Sequence, residues 1–514
     1  MNKFYLTTPI YYVNASPHIG HAYTTIIGDC IARFKRASGT EVFYLTGTDE
    51  HGEKIKKAAE KDGKEVKAFV DEVSQNFVSL WKFLNVSYDK FIRTTDPEHI
   101  KVVQACLQKL YEKGDIYKAK YKGFYCMPCE SFWNDSQVKE AGGCPDCKRP
   151  VTQIEEENYF FKMSQYEPWL KQYLKENPDF IKPKTRYNEV VGFLENNSLG
   201  DLCISRPKKR VTWGIPLPFD QEYVAYVWFD ALLNYLSGIG LYTDGTQFTR
   251  WWPADIHLMA KDILKQHGVF WPVMLKALDM GQPRMVFAHG WWKIGEEKIS
   301  KSRGNVVNPF ELVESLGLKD SGIDALRYFL LREVPVGADG NFSWGALVNR
   351  INSDLANDVG NLVYRTLNMA EKYFNGKVAP VSPHIPEVFK PALTELHAHY
   401  ASDMEALDFP AALEKVFKLI GIMNKYIEDT KPWTLWKEQK TQEVENFLFA
   451  LLEGIRIAAV YLYPFMPHTA FSILRQIGSQ VQDDKILLKD VQWTAQKEFI
   501  IKREPPLFPR IDVS

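Results

Sequence analysis

No uninterrupted run of about 20 apolar residues, the length a membrane-spanning helix needs, occurs in the 514 residues. The most apolar stretch, Phe447 to Leu474, is broken by Glu453, Arg456, Pro464 and His468, which predicts a pair of buried bundle helices. A secretory signal is missing too, because a single early Lys3 precedes an apolar run that Thr, Pro and Asn interrupt. Nor is there an excess of charge of one sign. Lys plus Arg number 63 against 64 Asp plus Glu, so any RNA surface has to be a local basic face. Cysteine is scarce: of seven, four sit in two CxxC pairs, and Cys30, Cys106 and Cys203 read as small core residues. That usage excludes a disulfide framework and points to a reducing cytosol. Internal repeats and low-complexity linkers are absent. What remains, 45% hydrophobic and 25% charged residues, is the composition of a soluble globular protein. A chain this long is predicted to hold about three or four domains.

The stretch around which the chain is organised is Thr7 to His21, TTPIYYVNASPHIGH. Phe4-Tyr5-Leu6 reads as a buried strand, and Ile26, Ile27, Cys30, Ile31 and Phe34 recur at helical spacing from a helix start near Gly20. A strand, a loop and a helix N-terminus make an anion site, since unpaired backbone N–H groups and the positive end of the dipole face the loop. His18 and His21 add imidazole donors, and Gly20 leaves room for a ligand against the backbone. A second stretch, Lys298-Ile299-Ser300-Lys301-Ser302, offers point charges and hydroxyls suited to polyphosphate.

Strands alternate with helices up to about His289. Val42 to Leu45 is a second strand, ending in the polar loop Thr46 to Gly52, and parallel sheets place ligands at such carboxyl ends. Lys54 to Lys113 reads as helical, with a helix start at Asp96-Pro97-Glu98. Tyr226 to Ala231 reads as a strand entering a helix, Asp255 to Met259 as a strand, Ala260 to Leu275 as a helix, and Met285 to Gly290 as the last strand. Beyond Asn308 the strands are expected to disappear, leaving a helical bundle to Leu488 and a proline-rich tail that straps back onto the body. Between Tyr117 and Trp213 the character changes. Cys126, Cys129, Cys144 and Cys147, with fourteen residues between the pairs, fit a closed tetrahedral zinc knuckle; a redox pair would need a thioredoxin-like surround that is lacking.

HIGH in the first strand–helix turn and KISKS late in the chain together resemble the paired signatures of class I aminoacyl-tRNA synthetases, with Ile299 where that family usually has Met. The flanking sequence narrows the resemblance to the methionyl-tRNA synthetase family, over nearly all of the chain. Tyr11 stands where some relatives have proline. The fold implied is α/β: a Rossmann-type parallel-sheet catalytic domain, split by a zinc-knuckle insertion and followed by an all-α bundle. The expected boundaries are catalytic halves at 1–116 and 224–297, an insertion at 117–223, the KISKS loop and connector at 298–343, and an anticodon-binding bundle with its tail at 344–514.

The resemblance also implies the chemistry: ATP-dependent activation of methionine to an adenylate, with Mg2+, followed by transfer to tRNA(Met), initiator tRNA included. His18, Gly20, His21, His289, Gly290, Lys298, Ile299 and Lys301 would bind ATP, with the two histidines and two lysines catalytic. Asp49 would pair with the substrate ammonium. Ile10, Tyr12, Trp228, Ala231, Leu232, Tyr235, His267 and Trp271 would wall the side-chain pocket, where polarizable sulfur favours aromatic edges. Asn361, Arg365 and Trp433 would read the anticodon. Arg206 matches a position near the family's active site, while the rest of Arg206 to Arg210 reads as solvated. Without the C-terminal barrel that lets some relatives dimerise, a cytoplasmic monomer is expected, with structural Zn2+ on the four cysteines.

Overall fold

The computed structural model describes residues 2–126, 131–133, 135–145, 147–294, 297–298, 307–379, 382, 384–479, 486–494 and 496–512. The chain opens with β1 (Lys3–Tyr12), α1 (Ile19–Ala37) and β2 (Glu41–Asp49). The apolar face of α1 is buried, and Lys35 and Arg36 in its last turn complement the helix dipole. Next come α2 (Glu53–Lys61), α3 (Val66–Phe83), β3 (Lys90–Arg93) and α4 (Pro97–Glu112), the last with Pro97 in its first turn. The short strand β3 corrects the continuous helical reading of 54–113. Its four residues pair with β2 from Leu45↔Lys90 to Thr48↔Arg93, a long-range partnership that leaves no periodicity of its own.

The following segment holds β4 (Ile116–Cys126), β5 (Ser131–Trp133), α5 (Asp135–Ala141), β6 (Thr152–Phe161), α6 (Glu167–Glu176), β7 (Ile181–Lys182), α7 (Lys184–Asn196) and β8 (Leu202–Cys203). Strands β5-β4-β6-β8 form an antiparallel sheet beside the main one. Then β9 (Ser205–Pro207), β10 (Pro216–Leu217) and β11 (Asp220–Ala225) form a small antiparallel sheet. The main sheet resumes after α8 (Val227–Leu232), α9 (Asn234–Ser237) and α10 (Gly245–Trp251) with β12 (Ile256–Ala260), α11 (Trp271–Ala277) and β13 (Val286–His289). Its order is β3-β2-β1-β12-β13-β7, and every pair is parallel. The second half of the fold thus docks directly on β1, as in a doubly wound α/β sheet. The expected strand over Tyr226 to Ala231 is instead helix α8; the strand is the preceding β11, and it lies outside the main sheet. Residues 261–270 wind as 3-10 and π turns before α11 continues as α-helix.

The hairpin strands β14 (Trp292–Ile294) and β15 (Glu297–Lys298) lead to the KISKS segment. After it come α12 (Pro309–Ser315), α13 (Asp320–Arg332), β16 (Gly340–Asn341), α14 (Trp344–Arg350) and α15 (Asn361–Phe374). The last elements are β17 (Lys377–Val378), α16 (Lys390–Glu405), α17 (Phe409–Thr430), α18 (Pro432–Lys437), α19 (Thr441–Leu462), α20 (Pro467–Gln476) and β18 (Phe499–Ile500). Strands therefore do not vanish after Asn308: β16 pairs with β14, and β17 with β18, as two-residue staples. The expected pair of buried helices is α19 and α20. The tail does strap back, with Ile511 exchanging hydrogen bonds with Asn352 at 2.8 and 2.9 Å and Phe508 buried.

One apolar cluster runs without a break from α1 through α13 into α17, α19 and α20. A buried ion cluster sits inside it. Asp29 of α1 binds Arg33 at 2.8 Å and Arg327 of α13 at 2.6 Å, and Arg327 also donates to the carbonyls of Leu84, Pro464 and Phe465. Two cations against one carboxylate hold Asp29 well below the usual carboxylate range, against a burial effect that alone would raise it.

Candidate functional site

At the end of β1 the two signature histidines build the start of α1 themselves. His18 is the N-cap, in extended conformation, and its Nδ1 accepts from the amide of Gly20 at 3.0 Å. The amide of His18 in turn donates to Nδ1 of His21 at 3.2 Å, which completes a capping box of two imidazoles. Both Nδ1 atoms act as acceptors, so the proton of each neutral ring is on Nε2. The rings stack at 3.9 Å. A side chain on Gly20 would meet the His18 ring at 2.9 Å; the room that glycine provides is taken by the capping imidazole.

The end of β13 comes alongside. Nε2 of His289 lies 2.7 Å from Thr24 Oγ1 on α1, and Nδ1 donates to the Gly290 carbonyl at 2.7 Å. Gly290 is required by close approach, since a Cβ there would lie 2.0 Å from the carbonyl of Ala338. Described residues on either side of the KISKS stretch meet α1. On entry, Trp292 of β14 packs edge-on against Tyr23 of α1. On exit, the carbonyl of Val307 accepts from the amide of Ile19 at 3.1 Å. Lys298 is on β15, paired in register with Lys293, whereas Ile299 and Lys301 lie outside the described residues.

The residues expected to line the amino-acid pocket begin where β1 and β2 end, with Tyr12 opposite Asp49 and Ile10 opposite Gly47. Ile10 packs on the apolar cluster that contains Leu232, Tyr235 and Trp271, whereas Tyr12 packs on the larger one with α1. Trp228 is partly exposed and Ala231 buried, both on α8. Tyr235, His267 and Trp271 come together around His257, a residue that sequence reasoning missed. The Tyr235 ring stacks on His257 at 4.3 Å and meets Trp271 edge-on at 5.7 Å. The indole N–H of Trp271 donates to Nε2 of His257 at 3.1 Å, so the His257 proton is on Nδ1, facing Thr7 Oγ1 at 2.7 Å. Nδ1 of His267 faces the Ile263 carbonyl at 2.9 Å and must donate, which leaves Nε2 to accept from the Tyr235 hydroxyl at 2.7 Å. Burial pushes His267 down to about 4 and His257 well below the usual imidazole value. These rings are therefore neutral, and the Tyr235 proton is committed to His267.

Arg206 is buried, between the rings of Tyr125 and Tyr226 at 5.4 and 4.6 Å. Of the remaining basic run, Lys208 and Lys209 are exposed, and Arg210 pairs with Glu156 at 2.7 Å.

In the knuckle, sulfur atoms of Cys126, Cys144 and Cys147 all lie within 4.8 Å of one another, and Cys129 falls outside the described residues. Gly142 and Gly143 supply a positive-φ turn after α5, where the Gly143 amide donates to the Val138 carbonyl at 3.2 Å, and the next turn is closed by the Lys148 amide on the Cys144 carbonyl at 2.8 Å. Zinc–sulfur bonds of about 2.3 Å in a tetrahedron put sulfurs about 3.8 Å apart, so three described thiols fit such an ion with small adjustments.

Far along the bundle, Asn361 and Arg365 sit on α15, with Arg365 paired to Glu428 at 2.6 Å. Trp433 projects from α18 with 38% of its surface exposed. The bundle's packed tryptophan is Trp436, stacked on Tyr373 at 4.6 Å. No helix among the described residues is long and apolar enough to cross a membrane.

Residues 4–154 and 149–367 match the family described as tRNA synthetases class I (M), and residues 385–497 match the anticodon binding domain of methionyl tRNA ligase. Among curated proteins, methionine–tRNA ligase of Caldanaerobacter subterraneus is 47% identical over 515 residues, spanning 99% of this chain and 79% of that protein. That of Thermotoga maritima is 45% identical over 517 residues, spanning 99% and 80%. Among solved structures, methionyl-tRNA synthetase of Mycobacterium tuberculosis bound by methionyl-adenylate superposes with a TM-score of 0.92 at 38% identity, covering 99% of this chain and 100% of that one.

Proposed function

The chain belongs to the methionine–tRNA ligase family of class I tRNA synthetases, and from that membership we propose how its residues share the reaction. It couples ATP cleavage to formation of methionyl-adenylate and passes the methionyl group to the 3′ end of tRNA(Met). In the first step the methionine carboxylate attacks the α-phosphorus and pyrophosphate leaves. Phosphoryl transfer asks little covalent work of a protein; positioning and charge stabilisation supply the rate.

His18 and His21, each with its ring proton on Nε2, would hold phosphate oxygens at the positive end of α1. Gly20, His289 and Gly290 shape the adenosine side, together with Ile299. Lys298 and Lys301 stabilise charge on the departing pyrophosphate. Asp49 takes the methionine ammonium. Ile10, Tyr12, Trp228, Ala231, Leu232, Tyr235, His267 and Trp271 enclose the side chain, and the buried, neutral rings suit an uncharged thioether. The observation that carries this reading is the hydrogen bond from Ile19 to Val307, which brings the chain beyond KISKS to the first residue of α1 and supports reading the two motifs as one site.

Asn361, Arg365 and Trp433 read the anticodon, supported by the exposed Trp433 ring within the residues matching an anticodon domain. The domain reading is catalytic halves 1–116 and 224–297, an insertion at 117–223, a connector at 298–343 and a bundle at 344–514. Cys126, Cys129, Cys144 and Cys147 would hold Zn2+, which braces the knuckle when bound, and Mg2+ would accompany ATP. The reading extends to initiator tRNA and to a monomer working in the cytoplasm, for which light scattering and cell fractionation are the checks. Methionine-dependent exchange of pyrophosphate into ATP tests the central step; purified, folded protein without that exchange would overturn it.

A further inference from the structure

Behind the amino-acid pocket lies a buried chain of four polar side chains that the reaction just described does not use. The carboxylate of Asp230, 1% exposed, accepts from Nδ1–H of His51 at 2.7 Å through one oxygen and from Nε2–H of His99 at 2.7 Å through the other. The second nitrogen of His99, Nδ1, lies 2.7 Å from Ser237 Oγ. His51, His99 and Ser237 are also buried. Burial would raise the Asp230 pKa, but the charge of His51 and hydrogen bonds from both imidazoles hold it below the usual carboxylate range.

Three of the four members of the chain stand beside a residue of the proposed pocket. His51 follows Asp49 by two positions, on the loop after β2. Asp230 falls between Trp228 and Ala231 on α8. Ser237 follows Tyr235 by two on α9. His99, on α4, lines no part of the pocket and serves only to join the other two elements. The intervening Glu50 is held separately, by Arg93 at 2.6 and 2.8 Å and by Thr95 at 2.6 Å, so the loop bearing Asp49 is gripped on both sides. Well-packed apolar side chains would stabilise the same contacts at no desolvation cost, so a buried ionic chain here signals a demand for one specific geometry.

We propose that Asp230, His51 and His99 are positioning residues that fix the distance from Asp49 to the aromatic wall and thereby set the affinity for methionine. The inference rests on the reading of Asp49 and of Trp228 to Tyr235 as the methionine site. Its signature follows from which ring nitrogen each histidine uses. An asparagine amide nitrogen overlays Nδ1 of histidine, and a glutamine amide nitrogen overlays Nε2. His51→Ala should raise the KM for methionine in pyrophosphate exchange by about tenfold or more, with the KM for ATP unchanged. His51→Asn should restore it and His51→Gln should not; at His99 the order should reverse, Gln restoring and Asn failing. Asp230→Asn, whose amide faces one imidazole N–H, should raise the methionine KM like His51→Ala. Indistinguishable Asn and Gln variants at both positions would overturn the proposal. So would a joint rise in both KM values with a lowered Tm, the mark of a merely structural network. Asp49→Asn separates the two levels of the argument. An unchanged methionine KM in that variant sinks the methionine-site reading itself, whereas a raised one, with His51→Ala unaltered, sinks only the positioning role.

Discussion

The amide of Ile19 donates to the carbonyl of Val307 across 3.1 Å. Ile19 is the first residue of α1, directly after the capping His18, and Val307 is where the chain returns from KISKS. Residues almost 300 positions apart in sequence thus share one backbone hydrogen bond at the start of α1. That bond is between main-chain atoms, so side-chain substitutions in KISKS can alter chemistry while leaving the anchor in place.

Lys301→Ala is expected to slow adenylate formation by about 100-fold or more, since charge on departing pyrophosphate develops only in the transition state. Methionine affinity should hardly move. Single-turnover adenylation alongside equilibrium methionine binding is the measurement, and an equal loss in both would mean that the loop has a structural role instead.

Trp433→Ala should leave Tm and pyrophosphate exchange near wild type, because the ring is exposed and remote from the pocket. Charging of whole tRNA should fall by about tenfold to a hundredfold, the equivalent of losing a base–aromatic stack of roughly 1–3 kcal/mol. Trp436→Ala is the contrasting variant. Its ring stacks on Tyr373, so stability should drop by about 1–3 kcal/mol and both activities should decline together on warming.

The protein as purified should carry about one zinc per chain, bound by four thiolates. Cys144→Ser should lower that stoichiometry and impair tRNA charging more than exchange. Freshly prepared protein with reduced thiols and no zinc by elemental analysis would contradict the assignment.

Acid should loosen the amino-acid pocket before it unfolds the rest. His267 is held near 4 in the folded protein by burial, against about 6.5 when unfolded, so the unfolded chain binds the extra proton first. Stability from this group is complete above about pH 6.5 and falls as the pH drops toward 4, by at most about 3 kcal/mol. His257 acts in the same direction. Thermal unfolding between pH 7 and 4.5 should show a shallower decline in His267→Gln than in wild type; parallel curves would refute the linkage.

Arg327→Met should destabilise by about 3–5 kcal/mol, as removing one partner of a buried ion pair does. Three main-chain carbonyls would lose their donor, and Asp29 would keep Arg33 as its one cation, with Ser87 on its other oxygen. Denaturant unfolding reads the loss; a change within error would mean that water replaces the guanidinium.

The parts of this site legible in the sequence are those whose chemistry is local. HIGH sits at a strand–helix turn, the CxxC spacing is metal-like, and Asp96-Pro97 starts a helix, each visible within a few residues. Asp230, His99 and His51 were not legible, since they are separated by 131 and 179 positions and share no spacing that a single sequence can display. His257 looks like any apolar-strand histidine until Trp271 and Thr7 are seen on its two nitrogens. Strand β3 failed for the same reason at the level of fold: four residues acquire their identity only from the strand beside them. Tyr226 to Ala231 reads as a strand entering a helix because aromatic and β-branched residues favour strands, a preference that tertiary packing overrides from Val227 onward.

The two imidazoles that begin α1 constrain how this enzyme can change. A serine or aspartate would serve the helix start at least as well, but neither could offer the second ring nitrogen that the proposed phosphate role requires, and aspartate would repel a phosphate. Selection for a more stable first turn and selection for nucleotide affinity therefore act on the same two positions with opposite preferences. Thermostabilising substitutions should accumulate elsewhere, leaving this turn as it is in variants evolved for heat.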